Sequence, residues 1–250
     1  MTLKIDLNCD MGEGCGNDAE LMDYVSSTNI ACGFHAGDAA TMRRTVETAL
    51  EKGVAIGAHP GYPDRENFGR VAMQLSPRQV REIVTEQIAT LSEIAVAAGG
   101  KLSHVKAHGA MYNQAAHDTE LAAAIAEAVR DFDENLVLFC LSGSPMISEA
   151  EKLGLRSASE VFADRTYQRD GTLTPRTQSN ALIHETDLAV GQAIQMLTSG
   201  TVTTVDGATV DIRANTICLH GDGENALEFA ISISRALAQN NIAIAPFEGK

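Results

Sequence analysis

The chain has no run of basic residues, no cysteine pair at motif spacing and no apolar stretch of membrane-spanning length, and each absence removes a class of function. Nucleic acid is held by clustered Lys and Arg, and 19 basic residues scattered among 33 acidic ones, for a net charge of -14, provide no such footprint. Cys9, Cys15, Cys32, Cys140 and Cys218 are odd in number and contain no Cys-x-x-Cys, which disfavours a disulfide framework and a cysteine zinc site. They are expected to be reduced, and most of them simply packed. The N-terminal residues Met1 to Asp6 enter a strand-like pattern at once, without a basic n-region or cleavage site, so a cytoplasmic chain that meets neither membrane nor nucleic acid is expected. No His-Glu-x-x-His is present. The glycines at 12, 14 and 16 lack the spacing of a Rossmann or P-loop fingerprint, and Asp6, Asp10 and Glu13 around them would repel a phosphate unless a cation intervened.

What the chain does have is a βα rhythm. At 250 residues and 44% apolar content it can bury one substantial core, and one domain spanning 1–250 is expected. Short β-branched runs at 4–9, 28–32, 54–59, 102–107, 136–141, 157–162, 216–220 and 242–245 alternate with stretches of helical period, which predicts a parallel sheet. Ser76, Pro77 and Gln79 announce a helix whose apolar stripe is Val80, Ile83, Val84, Ile88, Leu91 and Ala95. Asp38 opens another, with Met42, Val46, Ala49 and Leu50 facing inward and Gly53 as its stop; Ser144 with Pro145 opens a third. Further helices are predicted near 118–131, 186–199 and 224–239. Residues 60–74 and 163–183 are polar, interrupted segments longer than a compact fold needs, which marks functional loops. The segment 201–212, with Asp206-Gly207 between alternating β-branched residues, predicts a hairpin insertion.

Strand after strand ends in residues that a core would not select. Asp6, Asn8 and Asp10 alternate toward one face and are followed by Glu13; the next ends bring His35 and Asp38, then His59, then Lys106, His108 and Tyr112. Later ends carry Glu160, Asp164, Arg165 and Tyr167, and finally His220 and Asp222. A lone histidine after a strand is usually a hydrogen-bonded structural residue. Four of seven at equivalent strand ends (His35, His59, His108, His220) point instead to one shared rim, whereas His104, His117 and His184 fall off that pattern. Convergence on one rim favours a closed (β/α) TIM-like barrel of seven or eight parallel strands over an open sheet. Asp38 has a competing task as helix N-cap, and Lys106 and Arg165 as salt-bridge partners of nearby carboxylates. Two chemistries suit the rim. Asp10 with two of His35, His59 and His108 would hold a divalent metal that activates water; alternatively carboxylate and imidazole act directly as acid and base, with Lys106 and Arg165 stabilising oxyanion or phosphate charge.

The strings DLNCDMGEG, NIACGFHAGD, GAHPGYPD, VKAHGAMYN, EVFADRTYQRDGTL and CLHGD resemble those of the LamB/YcsF family over essentially the whole chain, with Ala107 and Met111 where that family often shows Pro and Leu. The resemblance implies a distorted barrel of the glycoside hydrolase/deacetylase kind. It further implies ATP-dependent opening of the lactam of 5-oxo-L-proline to L-glutamate, as a 5-oxoprolinase in complex with subunits B and C. ATP with a divalent metal, Mg for the nucleotide, would be the cofactors, although no nucleotide motif places ATP on this chain rather than on a partner. The candidate catalytic residues are then Asp10, Glu13, His59, Lys106 and His108, with Asp10, His59 and His108 as metal ligands by analogy with deacetylase-type barrels. The candidate substrate contacts are Asn8, His35, Asp38, Tyr112, Asp164, Arg165, Tyr167, His220 and Asp222, and Arg169 and Arg176 are further cations for an anionic group. Competing readings are a stand-alone metal-dependent hydrolase or deacetylase, and a non-catalytic subunit that binds substrate or assembles partners.

Overall fold

The computed structural model describes residues 3–221 and 225–249. Seven parallel strands close into a ring in the order β1 (Leu3–Met11), β2 (Ser27–Ala31), β3 (Ala55–His59), β4 (His104–Lys106), β5 (Val137–Leu141), β6 (Arg156–Phe162) and β9 (Thr216–His220), which returns to β1. Closure is in register between the first and last members, with Asn8 opposite Cys218 and Asp10 opposite His220. The strand predicted at 242–245 forms, but outside the ring: β10 (Ile242–Ile244) pairs only with the start of β1. The hairpin is β7 (Thr201–Thr203) with β8 (Thr209–Asp211), paired antiparallel.

Around the ring run α2 (Ala39–Lys52), α3 (Pro77–Ala97), α5 (Thr119–Phe132), α6 (Pro145–Lys152), α7 (Thr186–Ser199) and α8 (Ala226–Gln239). Ser76 and Gln79 make the reciprocal capping box, and the Asp38 side chain accepts from Thr41 N as the cap of α2. The predicted stripe of α3 is buried except Ile83, which is half-buried, and Gln87 joins it. In α2 the buried face is Met42, Thr45, Val46 and Ala49; Leu50 lies outside it, 37% exposed, its methyl groups crowding Gly100. Two short helices escaped the periodicity, α1 (Asp18–Leu21) and α4 (Gly109–Ala115), because a helix of one or two turns has too few residues to show a period. The expected start of the last helix at Glu224 lies outside the described residues. No disulfide joins the five cysteines; four are buried and Cys15 is exposed. Among the described residues no helix is long and apolar enough to cross a membrane.

Two opposite faces of the ring carry opposite chemistry. Leu7, Cys9, Ile30, Val105, Leu138, Val161 and Ile217 point toward the helices and join the main hydrophobic core. The alternate residues fill the lumen with Asp6, Asn8, Asn29, His104, Lys106, Glu160 and Thr216, all buried. Burial without partners would cost each of these groups several kcal/mol, and the lumen meets that cost with hydrogen bonds. Asn8 Nδ2 donates to Glu160 Oε1 (3.0 Å) and Thr216 Oγ1 (2.6 Å); Asn29 Nδ2 donates to Asn8 Oδ1 (2.7 Å) and Asp10 Oδ1 (2.8 Å). His104 bonds Asn29 Oδ1 through Nε2 (2.8 Å) and stacks on Phe139, so its departure from the rim pattern marks a structural histidine. Gly57 makes room for it, since a Cβ there would lie 2.0 Å from His104 Nε2.

At the lower end Asp6 accepts from the hydroxyls of Ser26 (2.7 Å), Ser27 (2.6 Å) and Thr216. Burial pushes its carboxyl up to about 6 despite these bonds. A carboxyl raised in the fold costs nothing while both folded and unfolded states are protonated, and the cost grows as pH rises from the unfolded value toward 6. Asp6→Asn, which cannot ionise, is therefore expected to gain on the wild type by about 1–2 kcal/mol between pH 5 and pH 8 in urea unfolding. A pH-independent difference would show that Asp6 stays ionised in the fold.

Candidate active site

At the C-terminal ends of the strands one recess is lined by Asp10, Glu13, His59, Arg70, Lys106, His108, Tyr112, Phe162, Arg165, Arg176 and His220, among others. Eight of the residues predicted for the site thus share one cavity. His35 stands directly behind it, and Asp164 backs His220. Asn8 lies below, as part of the lumen network. Two predicted contacts are corrected: Asp38 caps α2 in solvent, and Tyr167 is buried away from the recess, its hydroxyl oxygen accepting the Phe162 N–H at 2.7 Å. Asp222 lies outside the described residues. Arg169 ion-pairs with Asp206 of the hairpin instead of facing the recess. Sequence reasoning missed Arg70, which sits in the 60–74 loop without a distinguishing pattern; Glu160, noted in the sequence as a strand-end residue without a role, lies beneath the recess against Lys106.

Lys106 is held from below. Its ammonium lies 2.9 Å from Asp10 Oδ1, 3.0 Å from Glu160 Oε1 and 2.9 Å from Cys218 Sγ, in a setting only 3% exposed. Glu160 also accepts the Tyr112 hydroxyl at 2.7 Å. Burial alone would lower the lysine, but the flanking Asp10 and Glu160 carboxylates and the Cys218 thiol hold it well above its ordinary value. Burial likewise tends to raise Asp10, and the neighbouring His59 and Lys106 outweigh it and hold the carboxyl well below the usual range. Lys106 is therefore a counter-ion fixed by two carboxylates. Asp10, Cys218 and His220 bring ligand atoms within 4.8 Å of one another, but two of the three, Asp10 and Cys218, already hold this ammonium at 2.9 Å.

The opposite wall is built from histidines. His59 Nδ1 lies 2.8 Å from the Lys106 carbonyl oxygen and His108 Nε2 lies 2.8 Å from that of Phe68. A carbonyl only accepts, so each of these nitrogens carries its proton, and the lone pairs are left on His59 Nε2 and His108 Nδ1. Those two nitrogens face each other at 2.9 Å. Glu13 Oε1 adds a carboxylate 3.4 Å from His108 Nδ1, 4.0 Å from His59 Nε2 and 3.2 Å from His35 Nε2, and Asp10 Oδ2 is 3.4 Å from His59 Nε2. Two lone pairs in contact beside two carboxylates repel unless a proton or a cation lies among them. Nitrogens 2.9 Å apart can both reach one cation at the roughly 2.0–2.1 Å of a metal–imidazole bond, so Glu13, His59 and His108 fit a divalent metal, with His35 and Asp10 adjoining. Desolvation lowers His35 to about 2 and His108 well below its ordinary value, which keeps both rings neutral, as ligands must be.

Backbone placement makes this wall possible. His35 and His108 stack with ring centroids 3.7 Å apart, and a Cβ at Gly69 (φ 63) would lie 2.8 Å from His35 Cβ and 3.0 Å from His108 Cδ2. Gln87 of α3 clamps the loop beyond His59 by donating to Gly61 O (2.9 Å) and accepting from Gly61 N (3.0 Å). The recess has room for only about 40 Å³, a few water molecules at most, and opens into a groove of about 690 Å³ across a threshold shared by Arg70, Arg165 and Arg176. Arg165 is buried, donates to the carbonyls of Ala181 and Thr174, and has no carboxylate within ion-pair distance among the described residues. Burial and the nearby Arg176 guanidinium pull it down to about 10.

The sequence profile of the LamB/YcsF family matches residues 5–250. The A component of 5-oxoprolinase from Bordetella parapertussis is 53% identical over 249 residues, covering 98% of this chain and 99% of that one. The crystal structure of a lactam utilization protein from Thermus thermophilus superposes with a TM-score of 0.92 at 43% identity, covering 98% of this chain and 100% of that one. A family 4 carbohydrate esterase from Streptomyces lividans shares the fold alone, with a TM-score of 0.50 at 15% identity over 96% of this chain and 91% of that one.

If Lys106 is the counter-ion of the lumen, Lys106→Met should destabilise the protein by about 3–5 kcal/mol by stranding Asp10 and Glu160. Adding Glu160→Gln to that variant should recover a substantial part of the loss, measured by urea unfolding. Equal stability of the single and double variants would contradict the pairing.

Proposed function

The chain belongs to the LamB/YcsF family, and from that premise we propose that it is the lactam-opening component of an ATP-dependent 5-oxoprolinase, acting with subunits B and C. The observation that carries this reading is a recess with a lone-pair cluster of Glu13, His59 and His108 on one wall and a threshold of guanidinium groups at its mouth. The overall change consumes two waters, one at the lactam carbon to give L-glutamate and one at phosphorus as ATP becomes ADP and phosphate. A five-membered lactam is a stabilised amide, and phosphorylation of its oxygen would make the carbon electrophilic, so that water attack and C–N cleavage leave an acyl phosphate that the second water hydrolyses.

In this reading the substrate presents its carbon inside the small recess and its anionic groups to Arg165 and Arg176. His59 Nε2, steadied through Nδ1 by the Lys106 carbonyl and adjoining Asp10, takes the proton of the attacking water. Lys106 keeps Asp10 ionised and in place for that step. Alternatively, a divalent metal held by Glu13, His59 and His108 would take that His59 lone pair as a ligand and would supply Lewis-acid polarisation and a water of lowered pKa in place of the imidazole base. That same cluster favours a second reading, a metal-dependent hydrolase or deacetylase that works alone and without ATP.

Glutamate release from 5-oxoproline separates the two. Turnover is expected from the purified chain only with subunits B and C and ATP·Mg, and His59→Ala or His108→Ala should cut it by roughly 10²–10⁴-fold while assembly on a sizing column persists. ATP-independent, chelator-sensitive amide or acetyl hydrolysis by the lone chain would transfer the assignment to the second reading. Unchanged turnover in both variants would leave the chain with assembly as its only role.

A further inference from the structure

We propose that His220, oriented by Asp164, is the general acid that protonates the lactam nitrogen as the ring opens. Asp164 Oδ2 lies 2.7 Å from His220 Nδ1 and 3.2 Å from the His220 backbone nitrogen, so a single carboxylate oxygen fixes both the ring and its main chain. Phe162 stacks against the ring with centroids 5.6 Å apart. A proton on Nδ1 is thereby committed to Asp164, and Nε2 is the nitrogen available for chemistry. Nε2 has no hydrogen-bond partner among the described residues, and His220 lines the recess.

Position around the ring assigns the role. From β9, which ends in His220, the order of strands places β3 with His59 three steps away in one direction and β4, just before His108, three steps away in the other. His220 thus stands across the recess from the histidine wall. Hydrolysis of a lactam needs a base on the side of the incoming water and an acid on the side of the departing nitrogen, because an amide anion does not leave unprotonated. Of the other recess residues, the guanidinium groups of Arg70, Arg165 and Arg176 are too weakly acidic to give up a proton, Lys106 is engaged with Asp10 and Glu160, the Tyr112 hydroxyl with Glu160, and the ring protons of His59 and His108 with carbonyls.

The step balances. The C–O bond to water has formed on a carbon that still bears the phosphorylated oxygen. The C–N bond then breaks with its electron pair going to nitrogen as the water oxygen becomes the carbonyl, and the proton of His220 Nε2–H⁺ passes to that nitrogen to give the free amine. The second water releases phosphate from the resulting acyl phosphate by attack at phosphorus. The proton removed from water on the far wall is released to solvent, and His220 regains one from solvent before the next cycle. Asp164 does not touch the substrate and is a positioning residue. The proposal rests on the lactam-opening reading given above and extends it to residues first expected only to contact substrate.

The assay uses the full complex with ATP·Mg, following glutamate and ADP separately. His220→Gln should lower kcat for glutamate by roughly 10²–10⁴-fold with KM changed less than about threefold, and Asp164→Asn should lower kcat by a smaller factor at the same KM. Imidazole added to His220→Ala should restore part of the lost turnover, a readout that a merely structural histidine would not move. A raised KM at unchanged kcat, or no rescue in a His220→Ala complex that assembles normally, overturns the acid role. Should His220→Ala fail to assemble, the kcat and KM of Asp164→Asn decide: unchanged kcat overturns the proposal. Wild-type complex that releases no glutamate from 5-oxoproline defeats the lactam reading itself, a failure distinct from that of His220.

Discussion

The buried ammonium of Lys106 is the contact on which the rest of the site depends. A parallel ring of seven strands encloses a lumen filled by side chains, and this protein fills it with carboxylates, amides and hydroxyls where an apolar plug would have been simpler. Two carboxylates, Asp10 and Glu160, can remain ionised there only because one cation lies at 2.9 and 3.0 Å from them. Through Asp10 that cation reaches His59; through Glu160 it reaches Tyr112; through Asn8 and Thr216 the network continues to Asp6 at the other end. The polar rim is thus the upper layer of a polar column, and its geometry is set by residues that never meet a ligand.

Division of labour follows from where the protons are. On the histidine wall every ring proton of His59 and His108 is tied to a backbone carbonyl, which leaves lone pairs crowded together beside Glu13. Across the recess the pairing is reversed, with Asp164 taking the inner proton of His220 and the outer nitrogen open. A wall that attracts cations or protons faces a wall able to deliver one. Between them the guanidinium threshold concentrates positive charge at the mouth of the recess in a protein whose net charge is -14.

Much of this was legible in the sequence and some was not, for identifiable reasons. Strand ends were readable because a polar cluster after an apolar run has few explanations, and six quoted strings were enough to fix the family. Boundaries of the capped helices followed from Ser76, Asp38 and Ser144. The role of Lys106 was not readable: whether it meets a ligand or a carboxylate depends on Glu160, 54 positions away and two strands around the ring. Asp38 and Tyr167 stood close in sequence to residues that line the recess or back it, yet one turns outward as a cap and the other packs inward, a difference that only side-chain direction decides. Tautomers are equally invisible in a string of letters, since they follow from which carbonyl a ring nitrogen meets.

Ring closure joins the first strand to the seventh, with Asp10 opposite His220 across 210 positions of chain. During synthesis at about 5–20 residues per second, roughly 10–40 s separate the emergence of these two residues from the ribosome. Through that interval β1 lacks its β9 neighbour and the charged lumen cannot be sealed. The two walls of the site therefore come into being together, only after β9 has emerged, and a chain cut before β9 contains none of the two-walled recess.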